Sequence, residues 1–241
     1  MLQAILFDLD DTLLGNKMDS FLPHYFKLLE RHAAAFLDQP HFLQHMLAST
    51  KVMMSNTDPA LTNREVFWYA FQQQTGLNPA EAEPYFDRFY REQFPALRAV
   101  TQPVEGAKEA VEWALAQQLQ VVIATNPMFP RVAIEERLRW AELPVDQYPF
   151  ALVTVYEEMH ATKPNQAYYE EILAHIRCQP KQVLMVGDDW QNDMEPALAM
   201  GMATFWVTDG TSTKGDINQV MAYGSISDLR QRLLTGWLQA I

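Results

Sequence analysis

Acidic residues stand at the ends of apolar runs in a pattern that could carry out phosphoryl transfer. The first run, from Ala4 to Leu9, contains Asp8 and leads into Asp10, Asp11 and Thr12. A later run, Val183 to Val186, is followed by Gly187-Asp188-Asp189-Trp190-Gln191-Asn192-Asp193. Another, Val121 to Thr125, closes on Thr125-Asn126-Pro127, and Lys163 stands just before Pro164, downstream of the run Ala151 to Val155. If these runs are neighbouring strands, Asp8 and Asp188 share one pocket. Carboxylates so placed repel, and they stay ionised only when a divalent cation or a proton offsets them. An oxygen-only ligand set favours a hard ion, and Mg²⁺ fits best. The six histidines are scattered without ligand spacing, which argues against zinc. His160, the only histidine near these segments, is not counted in the site.

A carboxylate beside Mg²⁺ is a nucleophile toward phosphorus, which gives Asp8 its role. Asp10 can then protonate the leaving oxygen and later deprotonate water, because closely spaced acids keep a proton between them. Thr125 and Lys163 would hold the phosphoryl oxygens, where charge develops. Each piece has a plain structural alternative. Asp8 and Asp10 could form a capped turn, Thr125-Asn126 an N-cap, and Lys163 a surface lysine ahead of a turn proline. Their combination is what argues for chemistry.

The elements that must position these residues are legible as alternation. Five strand-like runs, the four above and Ala203 to Val207, are separated by helical patterns over Ala107 to Gln118, Pro130 to Ala141, Gln166 to Ile176 and Asp193 to Met200. Such alternation predicts an α/β fold with a Rossmann-like open parallel sheet, and ligands of that fold sit outside the carboxyl ends of its strands. Between the first and second strands the pattern is all helical: Ser20 to Leu37, Pro40 to Met54, Arg64 to Gln74 and Pro79 to Arg91. That block is too long for a crossover and predicts an inserted helical unit at 18–97, with 1–17 and 98–241 forming the α/β part. Met46, Met53, Met54, Phe67, Trp68 and Phe71 read as the core of that unit rather than ligand contacts. Trp190 likewise reads as a packing residue.

Composition narrows the function classes. The 241 residues are 49% hydrophobic and 20% charged, enough apolar material for a packed core. A net charge of −12 opposes nucleic-acid binding and gives no long-range attraction for an anionic substrate, so a phosphate site must be built locally. The single cysteine, Cys178, permits no internal disulfide and suits a reducing cytosol. The first residues, Met1 to Phe7, lack a basic region and read as a strand rather than a signal peptide. No stretch approaches the ~18–20 apolar residues of a membrane span. The expectation is a cytoplasmic protein with no membrane partner and no nucleic-acid partner; its oligomeric state is not legible.

With these segments in view, the chain resembles the haloacid dehalogenase superfamily, in particular its phosphatase-like members. Phe7-Asp8-Leu9-Asp10-Asp11-Thr12, Val121-Val122-Ile123-Ala124-Thr125-Asn126, Lys163-Pro164-Asn165 and Gly187-Asp188-Asp189-Trp190-Gln191-Asn192-Asp193 are similar to its four signatures, in family order. Pro103-Val104-Glu105-Gly106 resembles the segment where the chain re-enters the core, and the helical block resembles the family's mobile cap. The resemblance implies Asp8 as nucleophile and metal ligand, and Asp10 as general acid/base with its carbonyl on the metal. It implies Asp188 as a further metal ligand, and Thr125, Asn126 and Lys163 as phosphate-binding residues. Asp193 would bind the metal through water or steady Lys163. Thr12 would support the turn, and Asp11 would offer only its backbone amide. Family members often carry glycine where His160 stands and serine where Asp189 stands, so Asp189 is a supporting carboxylate.

The implied reaction is Mg²⁺-dependent hydrolysis of a small phosphorylated metabolite through an aspartyl phosphate. Dehalogenation on the same fold has no evident use for Asp10, since a halide leaves without a proton. A sugar-phosphate mutase would need a dedicated base at the hinge of the cap, and none is evident. A non-catalytic binding protein would have no physical reason to keep all of these groups. Lys51, Arg64 and the stretch Asn56 to Asn63 are candidates for setting specificity.

Overall fold

The computed structural model describes residues 1–34 and 41–240. In chain order its strands are β1 (Ala4–Phe7), β2 (Leu14–Gly15), β3 (Gln102–Pro103), β4 (Gln120–Ile123), β5 (Leu152–Val153), β6 (Val183–Gly187), β7 (Ala203–Val207) and β8 (Ala222–Gly224). Its helices are α1 (Met18–Ala33), α2 (Phe42–Met54), α3 (Asn63–Thr75), α4 (Pro79–Glu92), α5 (Ala107–Ala116), α6 (Arg131–Trp140), α7 (Gln166–Ile176), α8 (Glu195–Ala199) and α9 (Ile226–Leu234). Six strands form one sheet in the order β5-β4-β1-β6-β7-β8, every neighbouring pair parallel. The Rossmann-like α/β core expected from the alternating runs is therefore present.

The apolar runs carry no alternation because both faces of the sheet are covered. Along β1, Ile5 and Phe7 pack into one core, with Val121, Ile123, Leu184, Val186 and Phe205. Ala4 and Leu6 point into the other, with Val122, Val183, Met185 and Trp206. β1 lies at the centre, paired with β4 (Phe7 opposite Ile123) and with β6 (Phe7 opposite Val186). One register thus places the residues after β1, β4 and β6 side by side.

Helices α1–α4 and a 3₁₀ turn, Phe94–Val100, fill the interval between β2 and β3. That turn straddles the boundary expected at residue 97. β2 and β3 zip together antiparallel where the chain leaves and re-enters the α/β part, a ribbon too short to leave a sequence pattern. Thr62 caps α3 through a reciprocal box with Glu65, and Asn78 caps α4. Aromatic packing runs without a break from the helices into the sheet's helices. Phe42 stacks on Phe86 at 5.4 Å, Tyr25 meets Phe129 at 5.5 Å, and Phe94 stacks on Trp140 of α6 at 5.3 Å.

Several boundaries differ from the expected ones. β1 stops at Phe7, and β5 is two residues long. The expected helix at Asp193 is a π turn, Trp190–Met194, leading into α8. β8 and α9 went unseen in the sequence. β8 has only three residues, one of them Gly224, whereas α9 is marked by the capping box of Ser225 and Asp228 and by the helical spacing of Ile226, Leu229 and Leu233. The expected end of the first helix at Leu37 and start of the second at Pro40 lie outside the described residues. Among the described residues no helix is long and apolar enough to cross a membrane.

Gly187 ends β6 where another side chain presses against the backbone: a Cβ there would lie 2.2 Å from Asp193 Oδ2 and 2.5 Å from its Cγ. Gly187→Ala must push Asp193 aside. Overpacking of this kind costs about 1–3 kcal/mol, so thermal melting should show a Tm lowered by several degrees; an unchanged Tm would contradict this packing.

Candidate active site

Asp8 is the first residue past the central strand, and the sheet register fixes it. Its N–H donates to Val186 O at 2.9 Å, while Ala124 N–H donates to Phe7 O at 2.7 Å. The loop after β5 brings in Lys163, which is 2% exposed. Lys163 Nζ donates to Asp8 Oδ1 at 2.7 Å and to Asp193 Oδ1 at 2.5 Å. Asp188 follows β6, with its carbonyl held by Trp206 Nε1 at 2.8 Å. Oxygens of Asp8, Asp188 and Asp193 all lie within 4.8 Å of one another.

Three carboxylates and one ammonium leave this pocket with surplus negative charge. Burial first, then the neighbouring acids Asp193 and Asp10, push Asp8 up to about 7 against the opposing pull of Lys163. Asp188 has no such cation beside it, and burial together with Asp8 and Asp193 pushes it up to about 8. Burial alone would lower Lys163, but Asp193 and Asp8 outweigh it and hold the ammonium well above its ordinary value. Lys163 is therefore a fixed cation, and the acids carry the strain of crowding.

Asp10 is held differently. Both of its oxygens accept from Arg137 Nη1, at 2.8 and 2.7 Å, and Asn16 Nδ2 donates to Oδ1 at 2.9 Å. Arg137 is 1% exposed, and its Cζ lies 4.8 Å from the centre of the Phe129 ring. Its Nε and Nη2 meet no hydrogen-bond partner. Neither Arg137 nor Asn16 lies in the sequence segments that mark the site. A signal for Arg137 existed: with Ala133, Ile134 and Leu138 it occupies the buried stripe of α6, where helical spacing calls for an apolar side chain.

The turn between Asp8 and β2 corrects the expectation for Asp11. Its backbone has φ 55°, its N–H donates to Leu14 O at 2.7 Å, and its carboxylate accepts from Asn16 N–H at 2.9 Å. The amide is spent inside the turn, and the side chain closes it. Thr12 is fully buried, but its Oγ1 meets no partner, so the hydroxyl is not what holds the turn.

Thr125 and Asn126 follow β4. The carbonyl of Thr125 accepts from Thr154 Oγ1 at 2.6 Å and Tyr168 Oη at 2.9 Å, and Asn126 Oδ1 is buried without a partner. Asp189 turns away from the carboxylate cluster to cap the π turn, accepting from the N–H groups of Gln191 and Asn192. Trp190 packs edge-on against Trp206 at 5.0 Å. His160 binds Glu171 through Nδ1 (2.7 Å) and its own N–H (3.0 Å), tying the Lys163 loop to α7.

The helical insertion is fastened to the same loops. Asn63 N–H donates to Met159 O and Arg64 N–H to Tyr156 O, both at 2.8 Å. Asn63 Nδ2 reaches Pro127 O and Ala161 O. The first amides of α3, which a helix cannot satisfy internally, thus dock onto the loop that carries Lys163.

The comparisons with known proteins agree with this geometry. The family model for haloacid dehalogenase-like hydrolases matches residues 5–207. No curated protein sequence matches the chain. Among solved structures, a 2-haloacid dehalogenase from Pseudomonas syringae pv. Tomato DC3000 superposes with TM-score 0.63 at 22% identity, covering 98% of this chain and 100% of that one. A HAD phosphatase from Thermococcus onnurineus gives 0.58 at 19% identity, covering 96% and 98%. CbbY from Rhodobacter sphaeroides, solved in complex with phosphate, gives 0.58 at 17%, covering 95% and 96%. At these identities the structures speak for the fold, and the family match speaks for membership. This chain belongs to the haloacid dehalogenase-like hydrolases.

Proposed function

We propose that the chain is a Mg²⁺-dependent phosphohydrolase that cleaves a small phosphorylated metabolite through an aspartyl phosphate on Asp8. The observation that carries this reading is the convergence of the carboxylates Asp8, Asp188 and Asp193, with a single buried ammonium that pairs with only Asp8 and Asp193. Its donors are all oxygen and its charge is in deficit, which suits a hard divalent cation. Asp8 and Asp188 would hold that ion, with the carbonyl of Asp10. When bound, it would offset the crowded carboxylates and polarise the phosphoryl oxygens. Asp193 is already engaged, and its part is to steady Lys163.

The chain's own groups supply the remaining steps. Lys163 has three N–H groups; two go to Asp8 and Asp193, and the third, without a partner among the described residues, would donate to a phosphoryl oxygen. Thr125 and Asn126 take the others. The Asp8 carboxylate attacks phosphorus, the bond to the ester oxygen breaks, and Asp10 gives that oxygen its proton. Asp10 then takes a proton from water, which attacks the same phosphorus and releases phosphate and the free Asp8 carboxylate. Arg137 and Asn16 orient Asp10 for both transfers. Helices α1–α4 act as the cap, joined to the core at the β2–β3 ribbon, and exclude bulk water.

With Mg²⁺ present, phosphate release from a panel of phosphomonoesters should be measurable and should stop on adding EDTA. Asp8→Asn should lower it by on the order of 10⁴-fold or more. Turnover that survives either change would remove Asp8 or the metal from the reaction.

Asp10→Asn should slow alkyl phosphates by roughly 10²–10⁴-fold and p-nitrophenyl phosphate far less, because nitrophenolate leaves without a proton. Arg137→Met should show the same preference with a loss of about 10²-fold on alkyl phosphates, as expected for a misplaced group. Equal losses on both substrate types would argue against proton transfer by Asp10.

The raised carboxylates also set a pH dependence. Folded Asp8 and Asp188 keep protons up to about 7 and about 8, whereas unfolded aspartates release theirs near pH 4. Between those values the folded chain binds more protons, so its stability falls as pH rises. In EDTA the Tm should fall from pH 5 to pH 8, and excess Mg²⁺ should remove most of that fall by replacing the protons. A Tm in EDTA that climbs over this interval, unaffected by Mg²⁺, would contradict the assignment.

A further inference from the structure

A cavity of about 360 Å³ lies between α1–α4 and the loops that follow β1 and β4. Asp10 and Asn126 are among its lining residues, so it adjoins the candidate active site at those two groups. Its walls come from all four inserted helices, with Leu22, Met46, Phe67, Trp68, Phe86 and Phe129 among them. Met46, Phe67, Trp68 and Phe71 belong to the set that the sequence assigns to helix-bundle core; here they face a void large enough for a ligand. Taking about 30 Å³ per water-sized unit, the cavity holds on the order of a dozen such units.

Resting on the phosphohydrolase reading, we infer that this cavity receives the leaving group, and that the substrate is the monophosphate of a bulky apolar alcohol. Direction follows from chemistry. Asp10 protonates the ester oxygen, so the carbon attached to that oxygen extends from Asp10 into the space Asp10 lines. Polarity follows from the walls. The charged residues lining the cavity are all acids: Asp10, Glu83 and Asp87. Glu83 is occupied by Arg64 Nε and Nη2, each at 2.5 Å, and by Tyr156 Oη at 3.3 Å. Among the described residues no cation lines the cavity to receive a second phosphate or a carboxylate, and Asp87 repels one. A sugar would bury hydroxyls against aromatic rings with few partners, and each group left unpaired weakens binding. Hydrocarbon loses nothing there and gains about 0.8 kcal/mol per methylene. Lys51, Arg64 and the stretch Asn56 to Asn63, the specificity candidates from sequence, are not lining residues; Arg64 acts through Glu83.

The test is a series of n-alkyl phosphates from ethyl to decyl, used below their micelle concentrations, with glycerol phosphate and glucose 6-phosphate as polar members. Binding to Asp8→Asn with Mg²⁺ and to the wild-type chain in EDTA is followed by calorimetry, and hydrolysis by the wild-type chain with Mg²⁺ by phosphate release. Affinity should tighten about fourfold per methylene until the cavity is full, with a heat-capacity change that grows more negative with length. The value of kcat/KM should rise in parallel. Met46→Trp, which fills part of the void, should end that rise at a shorter chain. A flat length series, or polar phosphates bound more tightly than octyl phosphate, overturns the inference even if every phosphate is hydrolysed. Length-dependent binding without phosphate release upholds the apolar site and overturns the phosphohydrolase reading instead.

Discussion

One buried ammonium organises this molecule. Lys163 lies between Asp8 and Asp193 with almost no exposure to water. Taking an ion from water into such a place costs several kcal/mol, and only close opposite charges offset that cost. Both acids are needed, and each comes from a different part of the chain. Asp8 sits past the central strand, Asp193 in the π turn after β6, and Lys163 in the loop after β5. The sheet order β5-β4-β1-β6 makes the meeting possible, because strands remote in sequence end side by side. Gly187 lets Asp193 press against the backbone, and Asn63 anchors the inserted helices to the lysine's loop. The pair of bonds made by Lys163 is therefore both a closure of the fold and the reference point of the site.

The chemistry depends on an imbalance that this ammonium does not cure. A further carboxylate, Asp188, enters the pocket without a cation of its own, and Asp10 stands beside it with Arg137. The two acids of the Asp8-Leu9-Asp10 segment thus live in opposite settings two residues apart. Asp8 is buried among carboxylates, and Asp10 is partly buried, lining an aromatic cavity in the grip of a guanidinium. The guanidinium fixes where the Asp10 carboxylate stands and the Lys163 ammonium fixes Asp8, so two like groups of one turn face different parts of the site. The −12 charge of the whole chain does not enter this account, since the site is built from contacts of a few ångströms.

Much of this was legible in the sequence, for identifiable reasons. The central strands are continuous apolar runs, and polar residues at their ends mark the side where ligands bind. Asp8, Thr125, Lys163 and Asp188 could be singled out because each closes or follows such a run. Arg137 was not, since a charged residue in a helical pattern reads as solvated unless its place in the apolar stripe is weighed. The β2–β3 ribbon and β8 are two or three residues long, below the length at which a pattern exists. The Asp11 amide, expected to be available, is consumed by the Leu14 carbonyl while Asn16 N–H closes the turn on the Asp11 carboxylate, and no local rule announces those pairings. Of the six apolar residues expected in the bundle core, Met53 is buried there, Met54 is exposed, and Met46, Phe67, Trp68 and Phe71 line the cavity, because composition cannot tell a filled core from a wall. That distinction depends on the helices standing apart over Asp10 and Asn126.

The central claim is that Asp8 is phosphorylated during turnover. It is tested most directly by acid-quenching the wild-type chain with Mg²⁺ and a radiolabelled phosphomonoester within one turnover, then mapping the label. The account predicts a hydroxylamine-labile phosphoryl group on the peptide carrying Asp8, absent from Asp8→Asn. Full phosphate release with no label on that peptide at any quench time would contradict it.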